Sequence, residues 1–200
     1  MKLQPSFYLD DHVVKVARNL LGKYLFTALD GKTCGGMITE TEAYRGAADR
    51  ASHAYGNRRT ARTEAMYRNG GVAYVYLCYG IHSLFNVVTA PKGLPHAVLI
   101  RGINPTTGLE HMAARLNKKN ISGRHTDGPG KLTRALGIHY SHSGTDLSGD
   151  EIWIEDRGLE IGDKWVNTGP RIGVEYAGED AKLPYRFLVQ KEFFSNCKIK

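Results

Sequence analysis

Lys23-Tyr-Leu-Phe-Thr-Ala-Leu-Asp-Gly-Lys-Thr-Cys-Gly-Gly-Met-Ile-Thr-Glu-Thr-Glu-Ala-Tyr44 is the stretch on which the fold turns. Its aromatic and β-branched residues favour strands, and Asp30-Gly31 supplies the residue pair that a two-residue hairpin turn demands. The spacing predicts a strand from Lys23 to Leu29, a turn, and a returning strand from Thr33 to Tyr44. A period of two on the second strand puts Ile38, Glu40, Glu42 and Tyr44 on one face, with Met37, Thr39, Thr41 and Ala43 on the other. Two carboxylates so close disfavour each other's ionisation, so one of them should be paired or protonated. The plainer reading is a pair of solvent-face strand residues. Catalytic carboxylates of glycoside hydrolysis flank a substrate from different elements, so the same-strand pair is weak support for that chemistry.

Working outward, Asp10 can cap a helix that places Val13, Val14, Ala17, Leu20 and Leu21 on one face and ends at Gly22. Beyond Tyr44, the segment from Arg45 to Gly71 has no sustained period and reads as a long basic loop with short helical turns, one near Thr60 or Thr63. Asn69 to Pro91 lacks Lys, Arg, Asp and Glu, yet Gly80 interrupts it and Tyr74, Val75, Tyr76, Val87 and Val88 favour strands. It is expected to be a β-hairpin with its tip near Tyr79-Gly80-Ile81-His82, not a membrane span. A strand from His96 to Ile103 follows, then a helix under a Thr107/Glu110 capping box with Leu109, Met112, Ala113 and Leu116 inward. Asp127-Gly-Pro-Gly-Lys131 opens a helix through Leu136, and further strands are expected at Glu151 to Glu155, Arg171 to Tyr176 and Tyr185 to Gln190. With few βαβ units, the expected fold is α+β: one domain over residues 1–200, a curved and largely antiparallel sheet with flanking helices and a protruding hairpin.

The chain has 200 residues, 42% hydrophobic and 24% charged, values that exclude disordered, collagenous and membrane-spanning classes. Cys34, Cys78 and Cys197 are widely spaced without a C-x-x-C, which argues against a disulfide framework and for a reducing, cytoplasmic setting. The first residues carry neither a signal-peptide core nor a transit-peptide composition. No His or Cys pattern resembles a metal-ligand set, His139-x-x-His142 included, and no cofactor is expected. The formal charge of +7 is uneven. Arg45, Arg50, Arg58, Arg59, Arg62 and Arg68 face only Asp49 and Glu64 in one stretch, and Arg115, Lys118, Lys119, Arg124, Lys131 and Arg134 face only Asp127 in another. The segment from Asp146 to Asp163 is strongly acidic. Such polarity suits a protein that presents one face to phosphates, although solvated loops would look the same. Tyr74, Tyr76 and Tyr79 could stack on extruded bases or fill a gap in a DNA stack, or simply cover a sheet. Gly128-Pro129-Gly130-Lys131 is either a phosphate cradle or a plain turn.

In order along the chain, Met37-Ile-Thr-Glu-Thr-Glu-Ala-Tyr44, Asp49-Arg-Ala-Ser-His53, Tyr74-Val-Tyr-Leu-Cys-Tyr-Gly80, Asn86, Ala97-Val-Leu-Ile-Arg101, Gly128-Pro-Gly-Lys-Leu132 and Arg171-Ile-Gly-Val174 closely resemble the alkyladenine (3-methyladenine) DNA glycosylase family. The resemblance implies a single-domain, metal-free repair enzyme that flips a damaged purine from duplex DNA and hydrolyses its N-glycosidic bond. A lyase would need an amine nucleophile at the sugar, no lysine falls in the matched pocket blocks, and a monofunctional enzyme is expected. By the same resemblance Glu42 is the general base, and Arg101 with a main-chain carbonyl near Ile172 holds the water. Tyr44, His53 and Tyr76 line the base pocket, and Asn86 discriminates against a guanine amino group. Tyr79 is the minor-groove wedge, with Gly80 and Ile81 beside it at the tip, and Lys131 belongs to a backbone-contacting element. For neutral lesions the leaving-group proton is sought from water or His53. Ile81 and His82 follow the tip glycine where bulkier groups can occur, and the short lead into the first helix suggests a minimal, bacterial-type, nucleoid-associated monomer. The competing classes are a non-catalytic nucleic-acid-binding module, which leaves Glu42 idle, and an unrelated hydrolase, which leaves the charge polarity idle.

Overall fold

The computed structural model of the chain describes residues 1–196, so Cys197 lies outside the described residues. The hairpin that opens the sheet forms as expected. β1 (Tyr24–Leu29) and β2 (Lys32–Tyr44) pair antiparallel, with Leu29 opposite Lys32. Asp30 at φ 54° and Gly31 at φ 68° close the two-residue turn in the doubly left-handed geometry that matches strand twist. β2 is the spine of an eight-stranded sheet. One edge pairs with β5 (His96–Thr107) from Gly35 to Tyr44; the other pairs with β1 up to Met37 and then with β8 (Arg186–Val189) from Glu40 to Glu42. That exchange of partners splits and curls the sheet. β3 (Ala73–Cys78) and β4 (His82–Thr89) extend it beyond β5, β6 (Ile152–Glu155) lies outside β1, and β7 (Val166–Gly169) lies outside β8. Every strand pair is antiparallel, which bears out the curved α+β architecture.

Besides the short α1 (Pro5–Tyr8), the helices are α2 (Val13–Asn19), α3 (Leu109–Leu116), α4 (Pro129–Leu136) and α5 (Lys191–Asn196). Val13, Val16 and Ala17 of α2 join Leu132, Ala135 and Leu136 of α4 in one core with Leu25, Ile38, Phe85, Val98 and Ile100 from the sheet. Two buried threonines tie these layers together: Thr41 Oγ1 donates to Ala17 O at 2.8 Å and Thr27 Oγ1 to Leu136 O at 2.8 Å. Each satisfies a hydroxyl that would be costly to bury unpaired. No helix among the described residues is long and apolar enough to cross a membrane.

Several local expectations are corrected. Asp10 does not cap α2; its Oδ1 accepts from His12 N at 2.9 Å in a turn just before the helix, whose N-cap is His12. The Thr107/Glu110 capping box does not form, because β5 runs on to Thr107 and Gly108 at φ 69° is the N-cap. A Cβ at Gly108 would meet Thr33 O at 2.2 Å, so the close approach of α3 to β2 excludes a side chain there. Leu109 is then left exposed, while Met112 is buried. Arg171 to Tyr176 is not a strand, since Gly173 at φ 74° leaves the extended region and a 3₁₀ segment, Glu175–Lys182, begins. A short edge strand, Val166–Gly169, adds to those expected; it is only four residues long, and its Asn and Gly weaken the strand signal of Val and Thr.

Candidate active site

Two loops are folded over one end of the sheet. Residues 45–71 carry short 3₁₀ turns, Gly46–Ala48, Tyr55–Asn57 and Glu64–Tyr67, the last preceded by Thr63. Ala54, Met66 and Tyr67 from this loop pack on Val72, Tyr74, Val88 and Ala97. From the other side Val174 and Ala177 pack with Ala51 against Tyr44. A fully buried ion pair fastens the two loops: Arg171, held by both carboxylate oxygens of Asp49, also donates to Ala43 O at 2.9 Å and Asp180 O at 3.0 Å. Asp49 accepts in addition from the amides of Arg45 and Ala51, both at 3.0 Å.

Between these loops and the sheet lies a cavity of about 180 Å³. Tyr44, His53, Tyr74 and Tyr76 wall it, Asn86, Leu99 and Arg101 contribute from β4 and β5, and Ile172 and Tyr176 from the far loop. The Tyr74 and Tyr76 rings stack at 5.6 Å, and His53 stands edge-on to Tyr76 at 4.6 Å. His53 Nδ1 lies 2.8 Å from Tyr74 Oη. Burial, reinforced by Arg62 and Arg58, pulls the His53 pKa down to about 4, so the ring is neutral at pH 7. Asn86 is fixed by amide donation to Tyr74 O at 3.1 Å and Leu84 O at 3.3 Å.

Glu42 is 0% exposed beneath this wall. Its Oε2 accepts from Tyr44 Oη at 2.8 Å and its Oε1 from the Ile172 amide at 2.8 Å, with Arg101 Nε 3.5 Å from Oε1. Burial raises the Glu42 pKa, and Arg101, the Ile172 amide and the Tyr44 phenol oppose that rise. Tyr44 is itself pushed well above the ordinary phenol range by burial and by Glu42, so it stays protonated and donates. Glu40 is also buried, accepting from Arg101 Nε at 3.0 Å and Arg186 Nε at 2.6 Å. The solvent-face reading of the carboxylate pair is thereby overturned: neither carboxylate faces bulk water, and Glu40 is ion-paired.

A family model described as methylpurine-DNA glycosylase matches residues 6–193, nearly all of the described chain. The chain belongs to the methylpurine-DNA glycosylase family. A protein of Chlamydia felis (strain Fe/C-56) is 46% identical over 189 residues, covering 94% of this chain and 95% of its own length. One from Bacillus thuringiensis (strain Al Hakam) is 44% identical over 206 residues, covering 99% and 100% respectively. Both bear the name "Putative 3-methyladenine DNA glycosylase". Family membership makes the chain a DNA glycosylase, a hydrolase of N-glycosyl bonds.

In this methylpurine-DNA glycosylase the expected site residues Glu42, Tyr44, His53, Tyr76, Asn86, Arg101 and Ile172 meet at one cavity or directly beneath it. The contact seen at Ile172 is its amide with Glu42. Tyr79, 92% exposed, stands at the cavity rim, with Gly80 and Ile81 completing the hairpin tip. Lys131 does not line the cavity; it lies exposed in the first turn of α4, 2.9 Å from Asp127. The loop before α4 is nevertheless joined to the site, since Gly128 N donates to Arg101 O at 2.8 Å. The Asp49–Arg171 clamp, Tyr176 and the Arg50–Arg58–Arg62 recess beside His53 were not singled out from sequence. Asp49 and Arg171 do stand in the quoted family blocks, but nothing local marks two residues that far apart as partners. Four of the seven acidic residues from Asp146 to Asp163 are ion-paired, Asp150 with Lys2, Glu155 with Arg157, Asp156 with Lys23 and Asp163 with Arg18.

Proposed function

We propose that this glycosylase flips alkylated or deaminated purines, of the 3-methyladenine, 7-methylguanine and hypoxanthine class, out of duplex DNA and hydrolyses the bond to the sugar with water activated by Glu42. The observation that carries the reading is the buried carboxylate of Glu42 under an aromatic cavity, held by Tyr44, the Ile172 amide and Arg101. Departure of the purine leaves an oxocarbenium-like sugar. An ionised Glu42 can take the proton of the attacking water and stabilise the positive charge in one step. Its raised pKa makes it the stronger base, while the Tyr44 and Ile172 donors and the nearby Arg101 charge favour its ionised form. Arg101 and the Ile172 carbonyl are assigned to hold the water.

The faces of Tyr44 and Tyr76 favour a cationic N-alkylated base over a normal purine. Neutral His53 serves as a hydrogen-bonding wall, which leaves water as the source of the leaving-group proton for hypoxanthine. Asn86, rigidly bonded, is assigned to reject the guanine amino group. Tyr79 at the exposed tip is assigned to fill the vacated stack, flanked by Gly80 and Ile81, while Lys131 and the Arg50–Arg58–Arg62 recess meet phosphates. Among the described residues no lysine lines the cavity to form an imine with the sugar, which favours base release without strand cleavage. The enzyme is further proposed to act as a cytoplasmic monomer without a cofactor.

The test is single-turnover release of purines from methylated DNA and from a hypoxanthine-containing duplex, in EDTA, with wild type beside Glu42→Gln. Wild-type release with strand breaks only after alkali, and none from Glu42→Gln, is the expected result. Equal rates for the two proteins would refute the assignment of Glu42. Duplex binding should weaken linearly in log salt with a slope of about −0.9 per phosphate neutralised.

A further inference from the structure

Glu40, the first carboxylate of the Glu-Thr-Glu sequence, has no part in the mechanism above, yet it is the side chain that holds Arg101. Glu40 and Arg101 meet because both strands are irregular at this level. Ile38 pairs with Ile103, Glu40 with Gly102 and Thr41 with Ile100, so Thr39 is an extra residue on β2 and Arg101 an extra residue on β5. Such bulges bend a strand and re-aim a side chain, and here they bring Arg101 over the two carboxylates. The Arg101 carbonyl, freed from the ladder, accepts instead from Gly128 N at 2.8 Å, which pins the bulge from behind. Among the described residues the Arg101 side chain makes one hydrogen bond, from Nε to Glu40 Oε1 at 3.0 Å. The same oxygen receives Arg186 Nε at 2.6 Å.

We propose that Glu40 is a positioning residue for hydrolysis: with Arg186 it clamps the Arg101 guanidinium by Nε, keeping it beside Glu42 without letting it close into a full ion pair with the general base. This rests on the reading of Glu42 as that base. Arg101 Nε is 3.5 Å from Glu42 Oε1, so Glu42 is the next anion in reach once Glu40 lets go. A guanidinium drawn fully onto Glu42 would stabilise its ionised form, lower its basicity and intrude where the water must sit. The clamp is itself balanced by Arg186, which lies opposite Glu42 on β8 and shares Glu40 with Arg101. The groups that face Glu42 are Arg101 from β5, Glu40 and Tyr44 from its own strand, Arg186 from β8, and Arg171 with the Ile172 amide from the far loop. Tyr76 of β3 lines the same cavity as Tyr44. Two guanidiniums against two carboxylates make the inner cluster neutral, so a change at either outer member shifts what Glu42 feels, and in opposite directions.

The experiment compares wild type, Glu40→Gln, Arg186→Gln and Glu42→Gln by single-turnover base release from pH 4 to pH 9. It is joined to ¹³C NMR of Glu-labelled protein, in which the Glu42 carboxyl signal is the one missing from Glu42→Gln. Glu40→Gln should move the acid limb and the Glu42 titration down by about one pH unit, a tenfold change in ionised fraction, and lower the plateau rate. Arg186→Gln should move both upward. Shifts in the same direction, or rate losses that follow thermal stability with the titration unmoved, overturn the inference. If Glu40→Gln fails to fold, Arg186→Gln and its Glu42 titration decide alone. Base release that survives in Glu42→Gln instead removes the general-base reading and leaves the clamp without an object.

Discussion

Arg171→Met is the most exacting test of how the site is held together. The substitution keeps length and apolar bulk but deletes a guanidinium that is 0% exposed and paired with an Asp49 side chain 1% exposed. Among the described residues it leaves the Asp49 carboxylate with only the amides of Arg45 and Ala51, and it strips partners from the carbonyls of Ala43 and Asp180. Removing one member of a buried pair costs about 3–5 kcal/mol, because the remaining charge stays desolvated. The two amides that still reach Asp49 place the expectation at the lower end, about 3 kcal/mol. For a chain of this size each kcal/mol is worth roughly 2–4 °C, so Tm should fall by about 6–12 °C. Urea melts of Arg171→Met, Asp49→Asn and the double variant give the coupling directly, and the double variant should cost less than the sum by about 0.5–3 kcal/mol. Well below Tm, base release should also fall, because the neighbouring Ile172 amide that bonds Glu42 rides on this clamp. A loss under about 1 kcal/mol for Arg171→Met, or strict additivity in the cycle, would refute the buried-clamp argument.

Glu42→Gln should separate stability from activity. The folded pKa of Glu42 is raised, so its contribution to stability is complete below the unfolded value and is lost as pH rises through the folded one. The variant should therefore melt at or above wild type at pH 8, with the difference closing near pH 4; a lower Tm at pH 8 would count against it. His53 should titrate near pH 4 by NMR, after both burial and the flanking arginines, and a midpoint above pH 6 would restore it as a candidate acid. Tyr79 holds φ 50° while 92% exposed, a conformation that asparagine adopts more readily than tyrosine. Tyr79→Asn should raise stability by up to about 1 kcal/mol while weakening lesion binding, and a loss of both would show that Tyr79 serves the hairpin itself.

Local rules were enough for the hairpin at Asp30-Gly31, the charge-free hairpin ending in Tyr79, and the helix at Pro129, because turn chemistry and periodicity act over a few residues. The family blocks likewise pointed to Glu42, Tyr44, His53, Tyr76, Asn86, Arg101 and Ile172, which the fold brings to one cavity. Sequence alone could not say which member of the Glu-Thr-Glu pair is spoken for. That depended on bulges at Thr39 and Arg101 and on the arrival of Arg186 from β8. It could not find the Asp49–Arg171 clamp, and it extended alternation through Arg171 to Tyr176, where Gly173 turns the chain out of the strand. The sequence determined the elements and the chemical inventory, since both are written in neighbouring residues. The tertiary structure decided which charges are buried, shared or free, because desolvation and pairing depend on what distant segments bring within a few ångströms.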